Sequence, residues 1–286
     1  MGTWGTGLYA SDVAADLRAA VASVLRAPLS VDELLAALGE VEPSLTDPSS
    51  EDYTACWFVV ADRLHRYGIT DTATVERVTS LIDDGVDLAV QASLGMSDAD
   101  LRQRARVLAQ LKERLREPHP KPYQRRPLRS PQPFVFDVGT VVRRPLMGSR
   151  GANPYFPSWE RQSFVPDGYG AAVFVDAGRT FGYLAWYTAA VLDQRWDSPP
   201  SIDDCFDVEL RRPDSGTLSK SHANRMRLEA IGTVGTAVAT TLPPALLPSG
   251  RRSDATAISD ISISNALNRR TKAASGITLR ALTCPG

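Results

Sequence analysis

The sequence is poor in the residues that most often carry metal or redox chemistry. Among 286 residues there are three cysteines and three histidines. Cys56, Cys205 and Cys284 show no C-x-x-C spacing, and no histidine lies three or four positions from another. These patterns argue against a zinc site, a disulfide framework or a redox pair. We therefore expect no bound metal and a reducing compartment, which points to a cytoplasmic location.

Long hydrophobic runs, an export signal and nucleotide-binding glycine motifs are also absent. The longest apolar runs, around residues 57–61 and 184–186, fall far short of the roughly 20 residues that cross a membrane. The N-terminus lacks the basic and apolar regions of a signal peptide. No P-loop or Rossmann glycine pattern follows a predicted strand. The expectation is a soluble protein with no membrane partner and no cofactor.

Charge is nearly balanced overall but unevenly distributed along the chain. The net charge is −1, yet residues 1–117 hold 11 Lys/Arg against 19 Asp/Glu, and residues 118–286 hold 21 against 14. Such asymmetry can steer a charged partner to one half or help the halves to dock on each other. A pI near 6.3 argues against a dedicated nucleic-acid binder.

Apolar residues recur at helical spacing up to about residue 116, which predicts five or six helices. Ser30 and Glu33 form a capping box at the start of the second. The third, predicted over residues 51–67, has the densest apolar face, and we expect it to be the most buried. Asp83, Asp84 and Asp87 follow the next helix and could hold a hard cation, but a solvated acidic turn is the favoured interpretation.

Six prolines and four basic residues lie between residues 117 and 133. Because no helix tolerates that proline density, we predict an extended basic linker. Beyond it the apolar period changes to two, which is typical of strands. The sequence thus predicts an α+β protein with a helical domain (1–116), a linker (117–133) and an antiparallel β-rich domain (134–286). Short strands are predicted at 134–138, 140–142, 171–175, 181–186 (a hairpin across 176–179), 206–210 and 227–234, while 254–268 could be helix or strand.

The first residues carry a motif, Trp4-Gly5-x-Gly7-x-Tyr9-x-x-Asp12, before an Ala-rich acidic helix. The glycines would let the backbone turn beneath the indole, Ser11 or Asp12 would cap the helix, and Tyr9 would pack across its first turn. A structural role therefore explains the motif. It resembles the start of the bacterial family called domain of unknown function 4259, over about the first 115 residues, although that family usually has Phe where Tyr9 stands.

A second resemblance concerns the β-rich half. Phe136-Asp137-Val138-Gly139 opens a pair of strands, and Tyr169-Gly170-Ala171-Ala172-Val173 forms a later one. This pattern is similar to immunity protein 26 and related antidotes of polymorphic toxin systems. The resemblance implies a non-enzymatic protein that binds another protein. It assigns no site residue.

Arginine and aromatic residues are mixed in a predicted loop of about thirty residues. Arg143, Arg144, Tyr155, Trp159 and Arg161 lie in this segment. Exposed aromatic and arginine side chains on a long loop are typical of a recognition surface. The alternative is that the aromatic rings fold back and fasten the loop to the sheet.

The most chemically suggestive residues are Asp204, Cys205 and His222. A Cys/His arrangement would need the thiol within hydrogen-bond reach of the imidazole, with a carboxylate orienting the ring. No hydrolase signature surrounds them. The favoured hypothesis is therefore a protein-binding antidote or interaction module of a bacterial conflict system, with a toxin as the partner. The alternative is a small-molecule enzyme that uses these three residues in a cleft between the domains.

Overall fold

The computed structural model describes residues 5–234, 257–258, 261–268 and 273–282. The chain is α+β, as predicted, with helices in its first part and an antiparallel sheet in its second. It divides into two compact units, unit 1 (Met1–Arg129) and unit 2 (Ser130–Gly286). Trp4 and Cys284 lie outside the described residues, as does part of the segment 254–268.

Unit 1 is built around α3. This helix is buried on almost all sides from Thr54 to Asp62, which confirms the expectation drawn from its apolar density. It packs against α1, α4 and α6, and the capping box of Ser30 and Glu33 is present at the start of α2. The helices are α1 Asp12–Val24, α2 Val31–Val41, α3 Tyr53–Arg66, α4 Thr72–Asp83, α5 Val86–Ser93 and α6 Asp98–Leu115.

The proline-rich segment has no helix or strand between residues 117 and 133, but much of it is tied to unit 1. The backbone N–H of Tyr123 donates to the carbonyl of Arg66 at 2.7 Å. The guanidinium of Arg125 donates to three carbonyls of residues 25–29. With these residues included, unit 1 holds 15 Lys/Arg against 19 Asp/Glu and unit 2 holds 17 against 14. The charge asymmetry is therefore about half of that predicted.

Unit 2 contains a five-stranded antiparallel sheet with the strand order β5-β3-β2-β1-β6, and a separate pair, β4 and β7. The helices α7 Lys220–Met226 and α8 Ile263–Asn268 accompany the larger sheet. The strands are β1 Thr140–Leu146, β2 Gly168–Thr180, β3 Leu184–Val191, β4 Glu209–Arg211, β5 Asp214–Gly216, β6 Glu229–Thr233 and β7 Ala273–Thr278.

The predicted hairpin exists, but its turn is not where the sequence placed it. Thr180 pairs with Leu184, so the chain reverses at residues 181–183 and not at 176–179. Gly178 lies inside β2 opposite Trp186. A Cβ at this glycine would overlap the indole ring, so the glycine makes room for a neighbour and does not form a turn.

Of two other predicted strands, one is absent and one is shorter than predicted. Residues 134–138 form no strand; instead Phe136 stacks on Phe174 at 5.3 Å between ring centres. The strand predicted over 206–210 begins only at Glu209, because Asp203–Cys205 forms a 3-10 turn just before it.

Alternating residues give the larger sheet two buried faces. Ala171, Val173 and Val175 of β2 pack with Cys205 on one face, which we call the Cys205 face. Ala172 and Phe174 point to the opposite side, where α7 and α8 supply Ala223, Met226, Ile263, Ala266 and Leu267. We call this side the α7 face.

Candidate functional site

The sheet separates the two residues predicted as a catalytic pair. Cys205 is fully buried on the Cys205 face, and its thiol donates to the carbonyl of Ser201 at 3.3 Å. Burial, with a smaller contribution from the Asp204 carboxylate, raises the pKa of this thiol to about 11. His222 belongs to α7, which packs on the opposite face. The predicted Cys/His arrangement is therefore wrong.

Asp204 has a local structural role. Its carboxylate accepts from the N–H and hydroxyl of Ser201 at 2.8 and 2.7 Å. The hydroxyl and the backbone N–H of that serine hold the pKa of the carboxyl below its ordinary value. The carboxylate thus closes the turn that leads into Cys205, and it orients no imidazole.

The connection between β1 and β2, residues 147–167, is anchored to α7. The indole N–H of Trp159 donates to the carbonyl of Arg225 at 2.8 Å, and Arg225 in turn donates to the carbonyl of Pro154 at 2.9 Å. The guanidinium of Arg227 lies 3.8 Å from the centre of the Trp159 ring. Trp159 therefore fastens the loop, as the alternative interpretation expected.

Other side chains of the same loop face solvent. Tyr155 is 59% exposed, and its ring meets His222 edge to face at 5.1 Å. The structure thus brings together two candidates that the sequence had assigned to different sites. Of the eight large apolar residues that are exposed in the described chain, four lie in this loop. We define the loop surface as the side chains of Met147, Tyr155, Phe156, Arg161 and Val165.

The two arginines placed in this loop by the sequence belong instead to β1. Arg143 forms a two-pronged ion pair with Glu229 of β6, at 3.0 and 2.8 Å. Arg144 is only 4% exposed, and its guanidinium donates to the side-chain oxygen of Asn268 at 2.8 Å and to the carbonyl of Leu267. Neither side chain is part of the loop surface.

Arg144 is a buried cation without an ordinary counter-charge. Within the part of the chain that the structure describes, no carboxylate pairs with its guanidinium, and its buried Nε–H has no acceptor. Burial lowers the pKa of this side chain to about 10. A buried, incompletely satisfied charge is costly to the folded state, so it calls for an explanation.

Arg144 lines a pocket of about 350 Å³, which we call the arginine pocket. It lies where β1 ends, β2 begins and β3 ends. Arg195 and Arg211 also line it, and Asp193 supplies one carboxylate, which pairs with Arg211 at 2.7 Å. The guanidinium of Arg195 forms an ion pair with Asp167, which does not line the pocket. The apolar part of the wall consists of Leu146, Val191, Leu192 and Leu267.

Two glycines make room for the arginines. A Cβ at Gly151 would overlap Nη1 of Arg144, and one at Gly168 would lie 2.6 Å from Nε of Arg195. The N–H of Gly151 also donates at 2.8 Å to the same Asn268 oxygen that accepts from Arg144. The guanidinium is thus fixed between β1, the loop and α8.

Sequence reasoning missed this pocket. Its residues come from separate segments, and only Arg144 was singled out, as a loop residue. One sequence feature could have revealed the burial: Arg144 stands two positions after Val142 and two before Leu146, on the strand face that carries core residues.

Unit 1 contains a second buried arginine with a different environment. Arg104 is 3% exposed and forms a two-pronged ion pair with Asp87, at 2.7 and 2.9 Å. Thr54 donates to the same carboxylate at 3.0 Å, and Arg104 also donates to the carbonyl of Gly7 at 3.0 Å. The interpretation of the acidic segment as a solvated turn is therefore wrong for Asp87.

The other two acidic residues of that segment have separate partners. Asp83 pairs with Lys112, and Asp84 accepts from Ser80 at 3.0 Å. Throughout the described ranges, no three Cys, His, Asp or Glu side chains come together in a way that could hold a metal ion. The three carboxylates thus go to three different partners.

Tyr9 links the first segment to the core of unit 1. Its hydroxyl donates to the carboxylate of Asp62, which also accepts from Arg66 at 2.6 Å and from Arg114 at 2.9 Å. Burial, and next the hydrogen bond to Asp62, raises the pKa of Tyr9. Burial alone would raise the pKa of Asp62, but hydrogen bonds from Tyr9 and Arg66 hold it below its ordinary value.

The rest of the N-terminal motif differs from the prediction. Of the two predicted caps of α1, Ser11 is the one whose side chain caps the helix, and Asp12 is the first helical residue. Neither Gly5 nor Gly7 has a positive φ, so the backbone there does not require glycine. Trp4 lies outside the described residues.

Comparison with protein-family models, with curated proteins and with solved structures gives no match. The two family resemblances therefore stay predictions. Among the helices of the described residues, none combines the length and the apolar character that crossing a membrane requires.

Proposed function

We propose that this chain is a protein-binding module that serves as an antidote to a toxin of a bacterial conflict system. The observation that carries the proposal is the loop surface, which presents aromatic and aliphatic side chains to solvent on one anchored loop. Large apolar groups that are exposed together mark interaction sites more often than chance. Aromatic and arginine side chains also dominate the binding energy of protein interfaces.

The loop is held in place before any partner binds. Besides the contacts of Trp159 with α7, the N–H of Asn153 donates to the side chain of Gln162 at 2.7 Å, and the N–H of Gly148 donates to Asp167 at 2.9 Å. A surface that is already ordered loses less conformational entropy on association. The anchoring supports a recognition role for Tyr155 and Phe156.

The cellular setting is part of the proposal. Cys56 and Cys205 are both free and buried, which fits a protein that folds in a reducing compartment. The resemblances to domain of unknown function 4259 and to immunity protein 26 add support for a cytoplasmic antidote. The rival enzyme hypothesis gains no support from Cys205 and His222, which lie on opposite faces of the sheet.

A toxin-neutralisation assay tests the proposal. Each gene next to that of this chain is expressed in a bacterial host, alone and together with this chain. We expect one neighbour to arrest growth and co-expression to restore it. Restoration should fail with the double variant Tyr155→Ser/Phe156→Ser.

The matched control is Leu94→Ser, which alters a single exposed residue of unit 1 (53% exposed). It should restore growth as the wild type does. Absence of any toxic neighbour, or full protection by the double variant at wild-type protein levels, would contradict the proposal.

A further inference from the structure

Three arginines and the carboxylate of Asp193 line the arginine pocket. Asp193 pairs with Arg211, and both Asp167 and Asp197 lie within ion-pair distance of Arg195. Arg144 is therefore the lining arginine that has no carboxylate partner among the described residues. Arg144, the most buried of the three, gives its hydrogen bonds to an amide oxygen and a backbone carbonyl. Both acceptors are neutral, so they satisfy N–H groups without cancelling the charge.

The missing component is an anion with several acceptor oxygens. The planar fork of an arginine matches carboxylate and phosphate groups, and hydrogen bonds to such groups are stronger than neutral ones. An oxyanion in the pocket would supply the counter-charge that Arg144 lacks among the described residues. The fixed position of the guanidinium, between Gly151 and Asn268, favours binding without rearrangement.

The remaining wall limits the size and character of the ligand. A volume of about 350 Å³ lies at the small end of the range for small-molecule sites. Leu146, Val191, Leu192 and Leu267 provide an apolar surface next to the charged one. A ligand that matches both parts has an anionic head and a small apolar body.

We propose that the arginine pocket of unit 2 binds a small organic oxyanion, a carboxylate or phosphate monoester, through Arg144 and Arg195. This site goes beyond the protein-binding role of the loop surface and does not depend on it. Arg144 supplies the buried charge, Arg195 the charge at the more exposed end, and the leucine and valine side chains pack against the apolar body.

Isothermal titration calorimetry of the whole chain in a chloride buffer of constant ionic strength tests the site. The probes are inorganic phosphate, phenyl phosphate and benzoate. Inorganic phosphate tests the phosphate head alone, phenyl phosphate adds an apolar ring, and benzoate joins the same ring to a carboxylate head. We expect saturable binding of phenyl phosphate or benzoate, and weaker binding of inorganic phosphate. Absence of saturable binding by all three probes would overturn the proposal.

Charge variants locate the binding. Arg195→Gln should weaken it by about 10-fold or more, since a hydrogen bond to a charged group contributes about 1.5–3 kcal/mol. Asp193→Asn should strengthen it, because it removes the one negative charge of the lining. The control, Arg161→Gln, removes an exposed arginine of the loop surface and should leave the affinity unchanged.

Arg195→Gln is expected to weaken the affinity and Asp193→Asn to strengthen it. These opposite changes distinguish a specific site from non-specific attraction. Arg144→Met should abolish binding, but it also removes two hydrogen bonds that hold the fold. The test of the site therefore relies on the variants of Arg195 and Asp193. Equal affinity of the wild type and Arg195→Gln would overturn the proposal, as would equal weakening by Arg161→Gln.

Discussion

Each unit buries an arginine, and the two units treat that charge differently. Arg104 in unit 1 meets the carboxylate of Asp87 in a two-pronged pair, whereas Arg144 in unit 2 meets only neutral oxygens among the described residues. Burial is nearly the same, 3% against 4% exposure. Burial of a charge therefore does not by itself indicate function. The difference between Arg104 and Arg144 is whether the fold supplies a counter-charge.

The largest change in stability is expected when the buried arginine of unit 1 loses its counter-charge. Asp87→Asn would leave Arg104 buried without a carboxylate and should lower the free energy of unfolding by about 3–5 kcal/mol. Urea denaturation followed by far-ultraviolet circular dichroism measures this change. If the variant unfolds like the wild type, Arg104 does not depend on Asp87, and the contrast with Arg144 fails.

The control for that variant is Asp83→Asn, four positions earlier in the chain, at the end of α4. Asp83 pairs with Lys112 near the surface, with about half of its side chain exposed. Exposed ion pairs contribute about 0–1 kcal/mol, so the loss should be within that range. A loss as large as that of Asp87→Asn would show that the segment tolerates no substitution, whatever the burial of the charge.

A smaller effect is expected when Arg144 is displaced in unit 2. Gly151→Ala places a methyl group where Nη1 of Arg144 lies, and the buried side chain has little room to move. Such overpacking costs about 1–3 kcal/mol. The same denaturation experiment measures it.

For comparison, Gly7→Ala in unit 1 meets no atom within 4 Å and needs no unusual φ. Its effect should stay within about 0.5 kcal/mol. The prediction for Gly151 is contradicted if both alanine variants behave alike. In that case Arg144 is free to shift, and its position is not fixed as described.

Tyr9→Phe should lower the free energy of unfolding by a still smaller amount. The substitution removes the hydroxyl that donates to Asp62 but keeps the ring. A hydrogen bond to a charged group contributes about 1.5–3 kcal/mol, and the loss should lie at the low end of that range. Arg66 and Arg114 still contact the carboxylate. Tyr155→Phe, at an exposed ring in unit 2, is the matched control, and equal stability of the two variants would show that the Tyr9 hydroxyl contributes nothing.

The fold of unit 1 could largely be predicted because its determinants are local. Helical periodicity and the capping box of Ser30 and Glu33 lie within a few residues of what they determine. The turn of the hairpin in unit 2 could not be predicted the same way. Asp176-Ala177-Gly178 has turn-like composition, but Gly178 is there to accommodate Trp186, a contact that only the strand pairing creates.

The same reason explains which site residues were predictable. Tyr155 and Arg161 belong to one loop whose composition shows its exposure. Arg195 and Asn268 reach the arginine pocket from distant parts of the chain, so no local pattern connects them to Arg144. The Cys205 and His222 pairing failed because a sheet, which sequence spacing does not reveal, lies between them.

The buried thiols provide a comparison in which the two units should behave alike. Burial raises the pKa of both Cys56 and Cys205 above the ordinary value of 9.0, for Cys205 to about 11. Between pH 9 and 11 the folded state therefore holds more thiol protons than the unfolded state, so the free energy of unfolding falls as the pH rises. Below pH 9 this contribution to stability is fully present.

For Cys205 the loss between pH 8 and pH 10 should be about 1 kcal/mol. Urea denaturation at both pH values, compared between the wild type and Cys205→Ala, isolates it, because the cavity left by alanine affects both measurements equally. The variant should lose about 1 kcal/mol less than the wild type over this range, and Cys56→Ala should show the same sign. An equal loss in the wild type and Cys205→Ala would mean that the folded thiol ionises near pH 9. The thiol would then be solvated, which would contradict the burial of Cys205 in the folded state.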